Sequence, residues 1–272
     1  MGYVFDFENA RNYDKWFESS VGREVLTLEK HLLRSFLKPL PGERLLEVGC
    51  GTGIFLEWFS ELGYFVTGVE PSPYMLDIAR RKVGDRATFY RGVAEDLPFD
   101  DNEFEVVALI TTLEFVDDPR LAIQEAARVA RKQIIMGVLN RYSFTNTRRW
   151  ISSKLNKGNV FANARFFSVF ELKKIISEIL SGSEMSWKTT VFFPKFLLPY
   201  FRWLERTKHF QHNPFGAFIG MNIDIQPTFV TIQQPLVESL HSSSGGITPK
   251  PTYYTGAPEI GRETANEGSQ AL

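Results

Sequence analysis

The stretch Glu47-Val48-Gly49-Cys50-Gly51-Thr52-Gly53 ends an apolar run at 44–48 and precedes an amphipathic segment. Three glycines in five positions predict a turn in which the backbone approaches a ligand closely, because glycine has no Cβ atom. A helix that begins at such a turn points free N–H groups toward the ligand, which suits a carboxylate or a phosphate equally. The stretch therefore predicts a strand, a ligand-binding turn and a helix.

Two residues beside this turn distinguish the classes of ligand. A dinucleotide-binding turn needs Gly-x-Gly-x-x-Gly, but position 54 is isoleucine. Glu47 would repel a pyrophosphate and would attract a cation such as an ammonium or a sulfonium. Glu70 ends the next predicted strand, where an acid can accept hydrogen bonds from both ribose hydroxyls. The residues thus count against a nucleotide-dependent oxidoreductase and favour S-adenosylmethionine.

Apolar runs and helical patterns alternate on both sides of the turn. The predicted strands are 44–48, 64–70, 88–90, 104–110 and 133–139, followed by 186–193 and 216–225. This alternation predicts an α/β fold, a doubly wound and mainly parallel Rossmann-like sheet with helices on both faces. We expect an antiparallel final strand, helical and aromatic cap insertions, and a ligand at the carboxyl ends of the strands.

The chain divides into three predicted regions. Residues 1–40 form an N-terminal helical cover, and 41–234 form the main domain, with cap insertions at about 140–167 and 194–215. Serine, glycine, proline and threonine dominate 235–272, which predicts a disordered tail.

Composition excludes several classes of function. The 31 basic and 32 acidic residues of this 272-residue chain give a net charge of −1, which argues against nucleic acid as a partner. A single cysteine excludes an intrachain disulfide and a cysteine-based metal site. His209 and His212 have metal-ligand spacing without further ligands nearby, so we expect no metal. A basic, apolar leader and a long apolar segment are both lacking, which predicts a cytoplasmic protein without a membrane span.

Five blocks carry a family resemblance, in family order. They are 46–53, 68–76 (Gly68-Val69-Glu70-Pro71-Ser72-Pro73-Tyr74-Met75-Leu76), 92–99, 104–107 and Glu125 with Arg128-Val129. The region 43–139 resembles the class I S-adenosylmethionine-dependent methyltransferase family, nearest to its ubiquinone/menaquinone-type ("methyltransferase type 11"-like) branch. The resemblance implies S-adenosylmethionine as cofactor and S-adenosylhomocysteine as product.

The same resemblance implies roles for individual residues. The glycine turn would lie against the methionine part, Glu70 would bind the ribose, and the two aromatic residues near the N-terminus would cover the cofactor. The implied cofactor-binding residues are Tyr13, Trp16, Glu47, Gly49, Cys50, Gly51, Gly53, Glu70, Pro71, Ser72, Met75, Ala94, Glu95, Asp96, Thr111, Thr112 and Leu113.

Three positions depart from the family pattern. Val93 stands where the family usually has aspartate, so the adenine amino group needs another acceptor, Glu95 or Asp96. Glu114 stands where the family often has histidine. Arg131-Lys132-Gln133 replaces a common Pro-Gly-Gly turn.

Because a sulfonium is already an activated methyl donor, positioning in a dry pocket can supply much of the rate. We expect in-line transfer to a small, partly apolar acceptor in a lidded pocket. The candidate bases are Glu114, Tyr142 and His209. Aromatic residues of the caps favour such an acceptor: Phe161, Phe166, Phe167, Phe192, Phe193, Phe196, Tyr200, Phe201 and Trp203. The alternative is a catalytically silent S-adenosylmethionine-binding regulator or partner subunit, and the oligomeric state stays open.

Overall fold

One mixed β-sheet organises the chain in the structure, a computed structural model that describes residues 2–143, 164–194 and 197–225. The strands of these residues are β1 (Arg44–Val48), β2 (Phe65–Glu70), β3 (Ala87–Arg91), β4 (Phe104–Ile110), β5 (Ala130–Leu139), β6 (Met185–Thr190) and β7 (Phe218–Asp224). Their order in the sheet is β3-β2-β1-β4-β5-β7-β6. The strands β1 to β5 pair in parallel, while β7 runs antiparallel to both β5 and β6.

This topology confirms the predicted doubly wound, mainly parallel sheet with an antiparallel final strand. The strand β1 pairs with β2 on one side and with β4 on the other. The connections on the two sides of β1 therefore run in opposite directions along the sheet. This reversal opens a crevice at the carboxyl ends of β1 and β4. The glycine turn follows β1 at this place.

Helices cover both faces of the sheet, as predicted. They are α1 (Phe7–Glu18), α2 (Ser20–Arg34), α3 (Ile54–Glu61), α4 (Pro73–Val83), α5 (Pro119–Val129), α6 (Val169–Ile179), α7 (Leu198–Glu205) and α8 (Lys208–Gln211). Alternate strand residues face opposite layers. Leu46 and Val107 pack with α5 and α6, whereas Leu45 and Val106 pack with α2, α3 and α4. In the described part of the chain, no helix is long and apolar enough to cross a membrane.

Two helices begin at serine caps. Ser72 Oγ accepts a hydrogen bond from the Met75 N–H at 3.3 Å, and Ser168 Oγ accepts one from the Glu171 N–H at 3.1 Å. The Glu171 carboxylate pairs with Arg165 at 2.8 Å.

The strand β6 is shorter than predicted. It ends at Thr190 rather than at Phe193, because Val191 has a φ of 66°, which a continuing strand cannot contain. The predicted tail at 235–272 and most of the first cap insertion (144–163) lie outside the described residues. The division into cover, main domain and tail stays a prediction.

Candidate functional site

An internal cavity of about 340 Å³ lies at the crevice that the topology creates. Its lining comes from the glycine turn, from the ends of β2 and β4, and from the N-terminal segment 2–17. The part of the lining that comes from the second half of the chain is Leu139, Val191, Phe193, Ala217 and Phe218. Residues from both halves of the sheet therefore line the cavity, together with the N-terminal segment.

The glycine turn has the close-approach geometry that the sequence predicts. Gly49, Gly51 and Gly53 have φ values of 72°, 52° and 80°, a region that favours glycine. A Cβ atom on Gly49 would lie 2.5 Å from Thr112 Cγ2. The turn is held from behind, because the Gly49 N–H donates to the Val69 carbonyl at 2.7 Å. The backbone at this turn can therefore approach a ligand closely, because it carries no side chain at Gly49.

Glu47 places a buried carboxyl group at the cavity wall. Its side chain is 2% exposed, and its Oε2 atom has no hydrogen-bond partner. Burial raises the pKa of Glu47 well above its ordinary value, and the nearby Glu70 adds to this effect. A buried acceptor without a partner is costly unless a ligand satisfies it. The group fits the ammonium or sulfonium of S-adenosylmethionine.

Glu70 is fixed by two backbone donors. Its Oε2 accepts from the Gly51 N–H at 3.1 Å, and its Oε1 accepts from the Ser72 N–H at 3.0 Å. Burial raises the pKa of Glu70 to about 7, although both hydrogen bonds oppose the rise. Each carboxylate oxygen keeps a lone pair for a further donor. Glu70 can therefore brace the turn and still accept hydrogen bonds from ribose hydroxyls.

The N-terminal segment is held at three points by the loop after β4, by α4 with its N-cap, and by the glycine turn. The Tyr3 N–H donates to the Phe115 carbonyl at 2.8 Å, and Ser72 Oγ donates to the Phe5 carbonyl at 2.6 Å. Asp14 accepts from Lys82 at 2.7 Å and from Thr52, a residue of the glycine turn, at 2.5 Å. These ties place α1 beside the expected cofactor site.

Most of the residues predicted to bind the cofactor line this cavity. They are Tyr13, Trp16, Glu47, Gly49, Cys50, Gly51, Glu70, Pro71, Met75, Ala94, Glu95, Thr111 and Thr112. Gly53, Ser72, Asp96 and Leu113 are not among its lining residues. Gly53 and Ser72 instead cap α3 and α4, and Leu113 lies in the core between the sheet and α5.

The adenine side shows how the chain accommodates Val93. Val93 lines the cavity and forms a bridge with Asp96. Glu95 Oε1 already accepts from the Asp117 and Asp118 N–H groups, at 2.9 and 3.3 Å. Glu95 therefore holds the loop after β4 and lines the cavity, whereas Asp96, the other acceptor predicted for the adenine amino group, is not among the lining residues.

Two of the three candidate bases lie outside the cavity lining. Glu114 and Tyr142 are not among its lining residues, and the side chain of His209 lies outside the described part. Tyr142 is 52% exposed. Glu114 is buried, with Oε1 accepting from the Leu139 N–H at 2.5 Å and Oε2 without a partner. Burial raises the pKa of Glu114 to about 8.

Glu114 is expected to lower stability as the pH rises. When folding raises the pKa of a carboxyl group, the folded protein loses stability as the pH rises from the group's ordinary pKa of 4.5 to its folded pKa of about 8. Glutamine does not titrate, so the stability of Glu114→Gln relative to wild type should improve by about 2 kcal/mol or more between pH 5 and pH 9. Urea unfolding at both pH values measures the difference. The surface variant Glu178→Gln is the control, and parallel pH profiles for Glu114→Gln and wild type would contradict the assignment.

The sequence does not signal the backbone conformation of two residues that line the cavity. Thr111 and Val191 line the cavity with φ values of 54° and 66°, which β-branched residues rarely adopt. Glu205 stabilises the unusual backbone conformation at Val191, because its buried carboxylate accepts four hydrogen bonds there. The donors are Thr190 Oγ1 (3.1 Å) and the N–H groups of Val191 (2.8 Å), Phe192 (2.7 Å) and Phe193 (3.3 Å).

Glu205→Ala is expected to destabilise the fold and to loosen this wall of the cavity. The change leaves three backbone donors without an acceptor, each costing about 1–3 kcal/mol when buried, so we expect a loss of about 3 kcal/mol or more. Chemical unfolding measures it, and Glu205→Gln, which keeps one acceptor oxygen, should lose less. Equal stability of Glu205→Ala and wild type would refute this role.

The described cap segments contribute little to the cavity. Phe166 and Phe167 are buried in the core, and Tyr200 and Trp203 are 75% and 66% exposed. Phe193 stacks on Phe201 with ring centres 4.7 Å apart. Within the described residues, the lining from this half of the chain is confined to Leu139, Val191, Phe193, Ala217 and Phe218.

Comparison with known proteins agrees with this geometry. A family model described as "Methyltransferase domain" matches residues 46–136. An uncharacterized protein of Methanocaldococcus jannaschii is 34% identical over 181 residues, which cover 65% of this chain and 80% of that protein. A demethylmenaquinone methyltransferase of Clavibacter sepedonicus is 36% identical over 95 residues, 34% of this chain and 39% of the relative.

One solved structure resembles the chain over most of its length. It is an S-adenosylmethionine-dependent methyltransferase of Thermotoga maritima, described as a possible histamine N-methyltransferase. It is 30% identical, the match covers 79% of this chain and 95% of that one, and the TM-score is 0.62.

Proposed function

The chain belongs to the class I S-adenosylmethionine-dependent methyltransferase family, and we propose that it methylates a small, partly apolar acceptor beneath its own N-terminal segment. The unpartnered Oε2 atom of buried Glu47 carries the proposal, because it is an acceptor at the cavity wall that the cationic part of the cofactor would satisfy. Nine aromatic residues line the same cavity, which favours an acceptor with an apolar body.

The residues present fit the cofactor along its whole length. Glu47 would hold the cationic methionine part, the N–H groups at the start of α3 its carboxylate, and Glu70 its ribose. Pro71, Met75 and Ala94 would flank the adenine. S-adenosylmethionine, when bound, supplies a methyl group that is already activated on a sulfonium.

The protein's own residues then have two tasks. The Gly49 and Glu70 region fixes the donor, and the wall at 191–193 with the segment 2–17 encloses the acceptor. Enclosure excludes water and holds the reacting atoms in line, which can supply much of the rate. A neutral nucleophile with a lone pair needs no base, so the placement of Glu114 and Tyr142 away from the cavity lining is compatible with transfer.

The N-terminal segment is proposed to act as a lid. Three ties join it to the rest of the site, at Tyr3, at Phe5 and at Asp14. Its partners at Ser72 and Thr52 adjoin the predicted adenine and methionine positions. A bound cofactor should therefore stabilise the closed segment.

Calorimetry and limited proteolysis test the proposal. We expect S-adenosylmethionine and S-adenosylhomocysteine to bind, NAD not to bind, and the bound cofactor to protect residues 2–18 from proteolysis. NAD binding without S-adenosylmethionine binding would contradict the function, and unchanged proteolysis would contradict the lid. Release of S-adenosylhomocysteine with a small-molecule extract separates an enzyme from a silent cofactor-binding subunit, which no specific observation favours.

A further inference from the structure

The helix α7 has two different faces. On one face, Phe201 stacks on Phe193, which lines the cavity, and Glu205 accepts hydrogen bonds from the backbone of the cavity wall. On the other face, Tyr200 and Trp203 lie three residues apart and are 75% and 66% exposed. The helix therefore holds the cavity wall with one face and presents two large aromatic side chains to solvent with the other.

Exposure of a tryptophan is unusual in this chain. Of the four tryptophans that the structure describes, only Trp203 is exposed. Single exposed apolar side chains need no explanation, but neighbouring ones indicate an interaction surface. Tyr200 and Trp203 are neighbours on one helix face, so we take this face of α7 as a docking surface.

The segment around α7 is basic, although the whole chain has a net charge of −1. Glu205 is the only acid between residues 194 and 215, and its carboxylate is buried and hydrogen-bonded at the cavity wall. The lysines and arginines of the same segment are Lys195, Arg202, Arg206 and Lys208. No acid of this segment is thus left at the surface to offset its basic residues.

This combination of residue types fits one kind of partner. Tyrosine and tryptophan are enriched at the boundary between water and lipid, because their rings have an apolar body and a polar edge. Lysine and arginine are attracted to the negative surface of a bilayer that contains anionic lipids. A second copy of the chain fits less well, because a symmetric contact would bring two basic segments together.

We propose that α7 docks on the surface of an anionic lipid bilayer, with Tyr200 and Trp203 among the lipid headgroups. The other face of the helix holds the cavity wall, so docking would bring this wall close to the bilayer, where apolar molecules concentrate. That consequence for a partly apolar acceptor rests on the proposed function. The membrane contact itself does not, because it depends only on the exposed aromatic side chains and on the local charge.

Flotation with lipid vesicles tests the proposal on the full chain. The probes are vesicles of phosphatidylcholine alone and vesicles that also contain phosphatidylglycerol as the anionic lipid. Each basic residue near an anionic surface strengthens binding about fivefold. We therefore expect at least about tenfold tighter binding to the anionic vesicles than to the neutral ones, and weaker binding at high salt.

The double variant Tyr200→Ser/Trp203→Ser should bind the anionic vesicles at least about tenfold more weakly, because two aromatic rings no longer enter the interface. Both side chains are exposed, so the affinity for S-adenosylhomocysteine should not change. The matched control is Phe65→Ser. Phe65 is 67% exposed at the amino end of β2, the end of the strand opposite to the cavity, and this variant should bind vesicles as wild type does.

Fluorescence reports whether Trp203 itself enters the lipid. The tryptophan emission of the wild type should shift to the blue when anionic vesicles are added, because an exposed indole moves into a less polar environment. Trp203→Phe keeps an aromatic ring, so it should still bind these vesicles but lose most of the shift. If the double variant does not fold, this variant and the lipid dependence of the wild type decide.

Three results would overturn the proposal. The first is a wild-type protein that does not bind anionic vesicles, and the second is binding that survives Tyr200→Ser/Trp203→Ser. The third is a dimer, detected by sedimentation without lipid, that the double variant dissociates while no vesicles are bound, which would assign this face to a second copy. A protein that binds vesicles but not S-adenosylhomocysteine would instead contradict the proposed function and leave the membrane contact intact.

Discussion

Replacement of Glu70 by alanine is expected to weaken the binding of S-adenosylmethionine about a hundredfold. Glu70 would accept hydrogen bonds from the ribose, and each hydrogen bond to a charged group contributes about 1.5–3 kcal/mol. The same carboxylate accepts from the Gly51 and Ser72 N–H groups, so its loss also frees the turn that holds the methionine part. Both effects act in the same direction, which makes this the largest expected loss of cofactor affinity.

Calorimetric titration of Glu70→Ala measures this loss. The exposed acid Asp77, on the neighbouring helix α4, provides the matched control Asp77→Asn, which should bind as wild type does. Glu70→Gln keeps one acceptor oxygen and should fall between the two. An affinity of Glu70→Ala within twofold of wild type would exclude Glu70 from the cofactor site.

Glu47→Gln is expected to have opposite effects on stability and on binding. Without cofactor, the Oε2 atom of Glu47 is buried without a partner, and burial raises its pKa well above the ordinary value. A carboxyl with a raised pKa contributes less stability as the pH rises above its ordinary value, and glutamine does not titrate. Glu47→Gln should therefore unfold at a higher temperature than wild type at pH 8, with a smaller difference at pH 5.

The same change should weaken S-adenosylmethionine binding at least about tenfold, because a cationic ligand loses its counter-charge. Wild-type affinity should also increase with pH, since the ligand binds the ionised carboxyl group and releases its proton. Thermal unfolding and calorimetry measure the two effects on the same samples. A variant that is less stable at pH 8 and binds the cofactor normally would show that Glu47 is only a structural residue.

The central part of the fold was predictable because its signals are local. Gly49 to Gly53 lie within one turn, and Leu45 and Leu46 are buried on opposite faces of the sheet because successive side chains of a strand alternate. Glu47 and Glu70 were identified because each adjoins a predicted strand end. The resemblance to a family added the order of the blocks, and the structure places most of the residues predicted to bind the cofactor around one cavity.

The acceptor side was not predictable, because it depends on contacts between distant parts of the chain. Val25 meets Val191 only after α2 packs across β6 and β7. In the sequence, Glu205 is an ordinary acid in a predicted cap segment. Its carboxylate reaches the N–H groups of 191–193 only because the chain folds back on itself between these residues. For the same reason, local sequence could not tell that Glu114 turns away from the cavity lining toward the Leu139 N–H.

A crystal structure with S-adenosylhomocysteine bound tests the central claim most directly. The account predicts the amino group of the ligand within hydrogen-bond distance of the Glu47 carboxylate and both ribose hydroxyls on Glu70. It also predicts that the sulfur atom faces the part of the cavity that Val191 and Phe193 line. A ligand whose ribose lies away from Glu70, or whose sulfur faces solvent, would contradict the account.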